Sequence, residues 1–517
     1  MNTLRGQSVL VLGLGHSGLA MAKWCARQGA TVQVWDSRVG DVDAPPMAAA
    51  LHAALPGVPL HGGSLDENLL DGVQRVLKSP GLAPGDARIA SLLAAAHARG
   101  TPVQGELDLF TAALAELRID RDYAPQLLAI TGTNGKTTTT ALTALLVESA
   151  GKRVATAGNI GPTLLDTLAG ALDQADDAAL PEVWVLELSS FQLDAASGFE
   201  PAAAAVLNLS QDHLDWHGSM AAYAAAKARV FGAHTLAVLN RDDAQVMALL
   251  PAPVPAAPGR KRVPKPPPRR LVSFGLDAPA KVGDFGLVEQ AGMVWLARAV
   301  PADDIGKRRT EDAGPALVQL LMPVDALRVR GRHNAANALA ALALATAIGC
   351  PLAPMLHALR DYRGEPHRVA LVGSVQGVEA FDDSKGTNVG ATVAALEGLG
   401  LEKAPAKLVV IFGGDGKGQD FSPLAAAVSR YARAVALIGR DADALADALA
   451  DTAVPLERHD SLPAATAWCF EQARAGDAVL LSPACASFDM FRSYVHRAEV
   501  FVAAVHEVAA DHGEVLA

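Results

Sequence analysis

The sequence predicts an α/β protein of three domains with mostly parallel sheets. Short apolar runs alternate with helical stretches along most of the 517 residues, and several of these runs end in glycine-rich or charged loops. A chain of this length suggests about three domains, and half of its residues are hydrophobic, which is enough for buried cores. We place the domains at residues 1–123, 124–364 and 365–517. The central domain carries a proline-rich insertion at 251–270, whose composition excludes helix and sheet.

Charge and cysteine content narrow the class of protein. The net charge of −11 argues against nucleic-acid binding. The four cysteines show no paired spacing, which fits a reducing compartment and argues against a zinc site. The longest apolar run is too short to span a bilayer. We therefore expect a cytoplasmic protein without stable membrane insertion.

The first domain is predicted to be Rossmann-like. In SVLVLGLGHSG, residues 8–18, an apolar strand enters a turn with Gly13, Gly15 and Gly18, and Asp36 ends the next predicted strand. This pattern is typical of nicotinamide sites, but any nucleoside diphosphate meets the same needs, and a turn without a ligand is an alternative. The turn in VLKSPGLAP, residues 76–84, lies where ligand-facing loops occur, although it can also be purely structural.

The central domain begins with a predicted phosphate-binding loop. In LLAITGTNGKTTTT, residues 127–140, a buried strand enters a glycine-rich loop and then a helix whose positive end favours an anion. Lys136 is placed to reach the outer phosphates and Thr137 to contact Mg²⁺. Ile130 stands where the usual P-loop has its first glycine, so the motif is a variant. The alternative is an ordinary strand–turn–helix corner.

Four further positions in the central domain carry less specific signals. Glu187 ends an apolar strand, where it is either a magnesium ligand or a solvated carboxylate. His213 lies in a loop with carboxylates and is equally a ligand or a loop residue. Lys227 on its helix is predicted to be solvated. Asn334 and Asn337 are predicted to be helix caps, with a base contact as the alternative.

The last third repeats the strand–helix alternation. Three predicted strands end in polar loops, which contain Asp383 and Lys385, Asp415 and Lys417, and Ser487. Because the carboxyl ends of parallel strands meet at one edge of a sheet, we expect these loops to form one site.

Together these motifs resemble those of the Mur ligase family. The resemblance rests on TGTNGKTTT, GNIG, LELSSFQL, DHLDWHGS followed by YAAAKARVF, GRHNAAN, GEPHRV, DDSKGTN, GGDGKGQDF and LSPACASFDMF. It covers nearly the whole chain apart from the insertion and the stretch near residues 170–181. The last three motifs, with GLGHSG at the start, are most similar to those of the D-glutamate-adding branch. The Asn-Pro-Arg motif of the diaminopimelate- and lysine-adding branches does not occur in the sequence.

The resemblance implies an activity and a fold. It implies an ATP-dependent ligase that joins D-glutamate to UDP-N-acetylmuramoyl-L-alanine through an acyl phosphate and a tetrahedral intermediate. It also implies a central domain like P-loop ATPases, a Rossmann-like C-terminal domain that closes on the central one, and a monomer with small-molecule partners. Three alternatives stay open: the L-alanine-adding member of the family, a nicotinamide oxidoreductase, and a binding protein with a degenerate site.

The resemblance also assigns roles to individual residues. The implied contacts of the uridine substrate are Gly15, His16, Ser17, Asp36, Ser37, Arg38, Gly81, Asn159 and Gln192. The implied ATP contacts are Gly132, Thr133, Asn134, Gly135, Lys136, Thr137, Thr138, Asn334, Asn337, Arg368, Asp383 and Lys385. The implied D-glutamate contacts are Thr387, Asp415, Lys417, Ser487 and Tyr494. Two Mg²⁺ ions are expected on Thr137, Glu187, His213 and a carbamylated Lys227, and the implied catalytic residues are Lys136, Glu187, His213, Lys227 and Lys385.

Overall fold

The structure is a computed structural model that describes residues 3–40, 45, 47–174, 179–249, 270–302, 316–329 and 331–516. The predicted insertion at 251–270 lies outside the described residues, apart from Arg270. The described residues form three β-sheets, with five, nine and six strands.

The first sheet is parallel, with strand order β3-β2-β1-β4-β5. Its strands are β1 (Ser8–Leu12), β2 (Thr31–Trp35), β3 (Leu60–His61), β4 (Arg75–Lys78) and β5 (Val103–Gln104). The helices between and after them are α1 (His16–Arg27), α2 (Ala48–Ala54), α3 (Ala90–Ala98) and α4 (Glu106–Arg121). The order reverses beside β1, so the carboxyl ends of β1, β2 and β4 frame a crevice for a ligand.

The second sheet has the order β14-β13-β12-β11-β10-β9-β6-β8-β7 and is antiparallel only among β12, β13 and β14. Its strands are β6 (Gln126–Thr131), β7 (Val154–Gly158), β8 (Val183–Glu187), β9 (Ala203–Val206), β10 (Leu236–Asn240), β11 (Leu271–Phe274), β12 (Phe285–Gln290), β13 (Met293–Pro301) and β14 (Ala316–Pro323). The helices are α5 (Lys136–Ser149), α6 (Leu164–Leu172), α7 (Ser190–Asp194), α8 (Leu214–His217), α9 (Met220–Ala228), α10 (Ala244–Met247), α11 (Arg332–Ala347) and α12 (Leu352–Asp361).

The third sheet has the order β15-β16-β20-β17-β18-β19 and is parallel except for the β15–β16 hairpin. Its strands are β15 (Ala370–Val375), β16 (Val378–Asp382), β17 (Leu408–Gly413), β18 (Ala432–Ile438), β19 (Leu456–Arg458) and β20 (Ala478–Leu481). The helices are α13 (Val389–Lys403), α14 (Leu424–Tyr431), α15 (Ala442–Leu449), α16 (Leu462–Gln472) and α17 (Tyr494–Asp511). The three strands with polar loops, β16, β20 and β17, are neighbours, so their loops share one edge as predicted.

The apolar residues explain how the first two sheets are held together. One continuous core joins α1 and α4 of the first unit to α6 and β8 of the second, and it includes an edge-to-face contact between Phe110 and Trp184. A second core surrounds α11, whose alanines and leucines from Ala338 to Ala345 are all buried. The predicted α/β class with mostly parallel sheets is confirmed, and the exact domain boundaries stay a prediction. No helix among the described residues is both long and apolar enough to cross a membrane.

Candidate active site

A cavity of about 460 Å³ lies at the carboxyl ends of β1, β2 and β4. It is lined by residues 13–17, 35–38 and 79–82 and by Arg88. The glycines explain its shape. Gly13 has φ of +86°, and a Cβ at Gly18 would lie 2.0 Å from the Gly13 carbonyl oxygen, so α1 begins directly against the turn. A Cβ at Gly15 would meet nothing within 4 Å, because this position faces the open cavity.

Asp36 in this cavity is already occupied by hydrogen bonds within the protein. Its carboxylate accepts from the backbone N–H of Leu14 (2.7 Å) and from the Arg38 guanidinium (2.8 and 2.9 Å). Burial opposes the charge, but these hydrogen bonds outweigh burial and lower the pKa of Asp36 to about 2. Asp36 therefore orients Arg38 at the cavity. Sequence analysis missed Arg88, which donates to the Ser37 hydroxyl (3.0 Å), because an isolated loop arginine carries no motif.

The predicted phosphate loop joins β6 to α5. Gly132 and Gly135 have φ of +145° and +82°, and a Cβ at Gly135 would lie 2.5 Å from Oδ1 of Asn337. The ammonium of Lys136 donates to the carbonyls of Gly132 (3.0 Å) and Thr133 (2.7 Å). Burial lowers the pKa of Lys136, partly offset by Glu187. The loop is thus a tight turn whose carbonyls hold the Lys136 ammonium.

A second cavity, of about 380 Å³, lies beside this loop. It is lined by residues from both the central and the C-terminal parts of the chain, among them Asn134, Gly135, Thr138, Asn334, Asn337, Arg368 and Asp383. The prediction that Asn334 and Asn337 cap a helix was wrong. Gly331, with φ of +90°, precedes α11 without a side-chain cap, and both asparagines lie inside the helix, where Asn337 donates to Asn334 (3.2 Å).

Three side chains near the third sheet reach the phosphate loop. Arg368 and Lys385 both donate to the hydroxyl of Thr137, at 3.0 and 3.2 Å. Asn388, the cap residue of α13, exchanges two hydrogen bonds with Asn134, at 2.9 and 3.1 Å. The C-terminal part of the chain therefore supplies two cations to the start of α5.

Asp383 follows β16 and borders the same cavity. Burial raises its pKa to about 7, against the opposing effects of a hydrogen bond from Ser482 (2.7 Å) and the charge of Arg368. Gly386, three residues later, fits tightly because a Cβ there would lie 2.5 Å from the Asp383 carboxylate.

Glu187, His213 and Lys227 have an environment suited to a cation site. Glu187 is buried; one carboxylate oxygen accepts from Asn159 (2.9 Å), and the other has no partner among the described residues. Lys227 is 1% exposed, contrary to the prediction of a solvated side chain, and donates to the Gly132 carbonyl (2.9 Å). Burial, and then the charge of Lys136, lowers its pKa strongly. Burial also lowers the pKa of His213.

Protein groups alone do not form a metal cage in the part of the chain that is described. No group of three or more His, Cys, Asp or Glu residues there could hold a metal ion. A cation at Glu187 would therefore need ligands from hydroxyls, water or a bound phosphate, which is the usual coordination of Mg²⁺.

The remaining predicted residues lie around these cavities. The ring of Tyr494 is 5.5 Å from the Lys385 ammonium, and Ser487 is buried on the loop after β20. Lys417 faces the loop of His213 across a narrow gap. Asp415 pairs with Arg440 (3.0 Å). The backbone N–H of Thr387 donates to the Lys385 carbonyl (3.0 Å).

Gln192 and Asn159 differ in how much of each side chain is free for a ligand. The side-chain oxygen of Gln192 accepts from the backbone N–H (3.0 Å) and hydroxyl (3.1 Å) of Ser189 in the capping box of α7. Asn159 is exposed, and its side-chain nitrogen donates a hydrogen bond to Glu187.

Comparison with protein families gives three consecutive matches. Residues 7–105 match the family described as Mur ligase MurD-like, N-terminal domain, residues 130–255 the Mur ligase middle domain, and residues 367–485 the Mur ligase, glutamate ligase domain. A protein of Albidiferax ferrireducens named UDP-N-acetylmuramoylalanine--D-glutamate ligase is 60% identical, over 99% of this chain and 98% of the relative. A protein of the same name from Burkholderia mallei is 57% identical over 98% of both chains.

Solved structures agree on the fold. UDP-N-acetylmuramate-alanine ligase MurC of Thermotoga maritima aligns with a TM-score of 0.53 at 21% identity, covering 97% of this chain and 99% of that one. MurF of Acinetobacter baumannii aligns with a TM-score of 0.55 at 16% identity, covering 97% and 91%.

Proposed function

The chain belongs to the Mur ligase family, and from this premise we infer that it is an ATP-dependent ligase that adds D-glutamate to UDP-N-acetylmuramoyl-L-alanine. It acts in the synthesis of peptidoglycan precursors and releases ADP and phosphate. Two relatives of this name are 60% and 57% identical to it over nearly the whole chain. The presence of two separate cavities supports the proposal, which assigns one to the uridine nucleotide and the other to ATP.

One observation carries this function: Arg368 and Lys385 converge on Thr137 at the start of α5. A helix N-terminus and two cations from another part of the chain form a site for a strongly charged anion. We assign this place to the outer phosphates of ATP, with Lys136 beside them.

The chemistry follows from the charge of these groups. A carboxylate is a poor acyl donor, so its oxygen first attacks the γ-phosphorus of ATP, which gives an acyl phosphate and ADP. The amine of D-glutamate then attacks the acyl carbon, and the tetrahedral intermediate loses phosphate and a proton to leave an amide. Lys136, Arg368 and Lys385 stabilise the negative charge that both steps concentrate, and the protein contributes mainly positioning and electrostatics.

We propose that Mg²⁺ binds at Thr137, Glu187 and His213. The buried carboxylate oxygen of Glu187 without a partner fits a cation, and a histidine with a lowered pKa is neutral and able to coordinate. When bound, the ion would neutralise phosphate charge. Two ions are proposed because a second anionic ligand is available if Lys227 is carbamylated.

The carbamate itself requires a neutral amine, since the lone pair of the nitrogen attacks CO₂. Burial and Lys136 lower the pKa of Lys227, so its neutral form is populated at lower pH than in an ordinary lysine. Carbamylation would replace this buried amine with an anion, which the nearby charge of Lys136 favours.

The other assignments belong to the same proposal. The cavity beside α1, with Gly15, His16, Ser17, Asp36, Ser37, Arg38 and Gly81, takes the uridine diphosphate, and Asn159 and Gln192 contact the sugar-peptide. Asn334 and Asn337 contact adenine, and Asp383 completes the ATP site. D-Glutamate binds Thr387, Asp415, Lys417, Ser487 and Tyr494. The domain boundaries after residues 123 and 364, the monomeric state and the cytoplasmic location are part of the proposal, and the four free, buried cysteines support a reducing compartment.

A coupled phosphate-release assay tests the function. We expect turnover with ATP, UDP-N-acetylmuramoyl-L-alanine and D-glutamate, whereas turnover of UDP-N-acetylmuramate with L-alanine would instead indicate the L-alanine-adding activity. Lys136→Ala should abolish turnover and the thermal protection by ATP, while protection by UDP persists. Thermal protection by NADH without protection by UDP would favour an oxidoreductase.

A further inference from the structure

Lys78 is a buried cation beside the turn that lines the uridine cavity. It is the last residue of β4 and is 4% exposed. Its ammonium donates to the carbonyl of Leu82 (2.6 Å), and Leu82 lines the cavity with the preceding turn of residues 79–81. In this segment the sequence analysis assigned a ligand contact to Gly81 alone, so Lys78 has no role in the site described above.

An aromatic ring beside Lys78 belongs to the central part of the chain. Its ammonium lies 5.4 Å from the centroid of the Trp216 ring. That ring packs on Phe191 (4.7 Å), which in turn packs on the imidazole of His213 (4.6 Å). Contacts therefore run from the uridine cavity to a proposed metal ligand. The nucleotide-sugar substrate must also extend from the uridine cavity towards His213, because its uracil and its reacting carboxylate are at opposite ends of the molecule.

The charge of Lys78 is poorly compensated within the protein. No carboxylate of the described chain forms an ion pair with it within 4.0 Å, and Asp194 is the acidic residue whose field reaches it. Burial lowers the pKa of Lys78 to about 8 despite Asp194. The indole Nε1 of Trp216 is also buried without a described partner. A buried cation with one neutral acceptor is costly, so an anion placed beside it would be strongly favoured.

We propose that Lys78 binds the diphosphate of the nucleotide-sugar substrate where the substrate leaves the uridine cavity. The diphosphate is the anion between the uridine and the sugar, and a neutral sugar hydroxyl would leave the ammonium uncompensated. This inference rests on the proposed function for its substrate. It adds a contact from β4 to those proposed at the start of α1.

The test compares Lys78→Met and Lys78→Arg with Lys23→Met. Lys23 is the control, because it also joins the first and central parts of the chain. Its partner Asp166 (2.6 Å) does not line the uridine cavity, whereas Leu82, the partner of Lys78, does. For Lys78→Met we expect the KM for the uridine substrate and the Kd for UDP to rise about 10-fold or more. Lys78→Arg should lose much less affinity for the uridine substrate and for UDP. In both variants the KM values for ATP and D-glutamate should stay within about twofold of the wild-type values.

Binding of uridine, which has no phosphate, separates a diphosphate contact from a packing role. We expect Lys78→Met to bind uridine as the wild type does. An unchanged Kd for UDP, an equal loss for uridine and UDP, or a parallel rise of all three KM values would each overturn the inference. A wild-type protein without ligase turnover would instead refute the proposed function, and the comparison of UDP with uridine would still test Lys78.

Discussion

Asp36 stabilises the folded protein in a way that depends on pH. Its pKa is about 2 in the folded state, against 3.8 for an ordinary aspartate, because Arg38 and the Leu14 N–H outweigh the effect of burial. A lowered carboxylate pKa stabilises the fold above the unfolded pKa, and this contribution is lost as the pH falls through the folded pKa.

Asp36→Asn should therefore lower the free energy of unfolding by about 2 kcal/mol at neutral pH. Urea titrations should show this difference shrinking as the pH falls from about 4 towards 2. The Kd for UDP should rise as well, because Arg38 loses the carboxylate that orients it. Asp71→Asn is the control, since the pair of Asp71 with Arg99 is exposed and should matter little. A stability difference between the wild type and Asp36→Asn that does not change with pH would contradict the lowered pKa of Asp36.

Lys227 provides a second prediction for a single residue. In buffer depleted of CO₂ the activity should fall, and bicarbonate should restore it. Because carbamylation needs the neutral amine, recovery should slow as the pH is lowered through the depressed pKa of Lys227. With ¹³C-bicarbonate, NMR should detect a carbamate signal that Lys227→Ala lacks. Acetate should partly rescue a folded Lys227→Ala, and absence of both the signal and the rescue would refute the carbamate.

The two ends of α5 differ in what their glycines face. Gly135 at the start and Gly151 after the end have nearly equal φ, +82° and +83°. A Cβ at Gly135 would strike Asn337 of α11, whereas one at Gly151 would meet nothing within 4 Å. The shape of the phosphate loop thus depends on α11 as well as on its own turn.

Replacing each glycine by alanine separates these effects. Both Gly135→Ala and Gly151→Ala should lose about 1–2 kcal/mol of stability from the positive φ. Only Gly135→Ala should also raise the Kd for ATP, by at least about 10-fold, because the clash displaces Asn337 or the loop. Calorimetric titration with ATP measures this, and equal ATP affinity in the two variants would show that the contact with Asn337 is unimportant.

At the scale of the whole molecule, the amide pair of Asn134 and Asn388 joins the central and C-terminal parts of the chain. ATP must enter and ADP must leave the cavity that both parts line. We therefore expect the C-terminal part to open in each turnover.

A double variant, Asn134→Cys with Asn388→Cys, tests the opening. The native cysteines are buried, so oxidation should join only the new pair, as mass spectrometry can verify. We expect the oxidised protein to turn over at least about tenfold more slowly than the same protein after reduction. Each single variant, treated identically, controls for oxidation elsewhere. Equal rates in a fully crosslinked sample would rule out obligatory opening.

Much of the fold and of the local backbone geometry at the candidate site was predictable from the sequence. The units β1–α1 and β6–α5 were recognised because glycine spacing and apolar runs act over a few residues. The shared edge of β16, β17 and β20 followed from the rule for parallel strands. The capping prediction for Asn334 and Asn337 failed because α11 already begins at Arg332, after Gly331, so that both asparagines lie inside the helix.

By itself the sequence determined the three α/β units, the glycine-rich turn between β6 and α5 and the family, since each depends on local pattern or on motif identity. Only the tertiary structure decided which distant groups meet. Arg368 and Lys385 reach Thr137 across 231 and 248 residues of chain. Lys78 is buried against Trp216, and Asp36 accepts its hydrogen bonds from its own domain. Spacing along a chain fixes periodicity and turns, whereas contacts between remote strand ends depend on sheet order and on how the sheets pack.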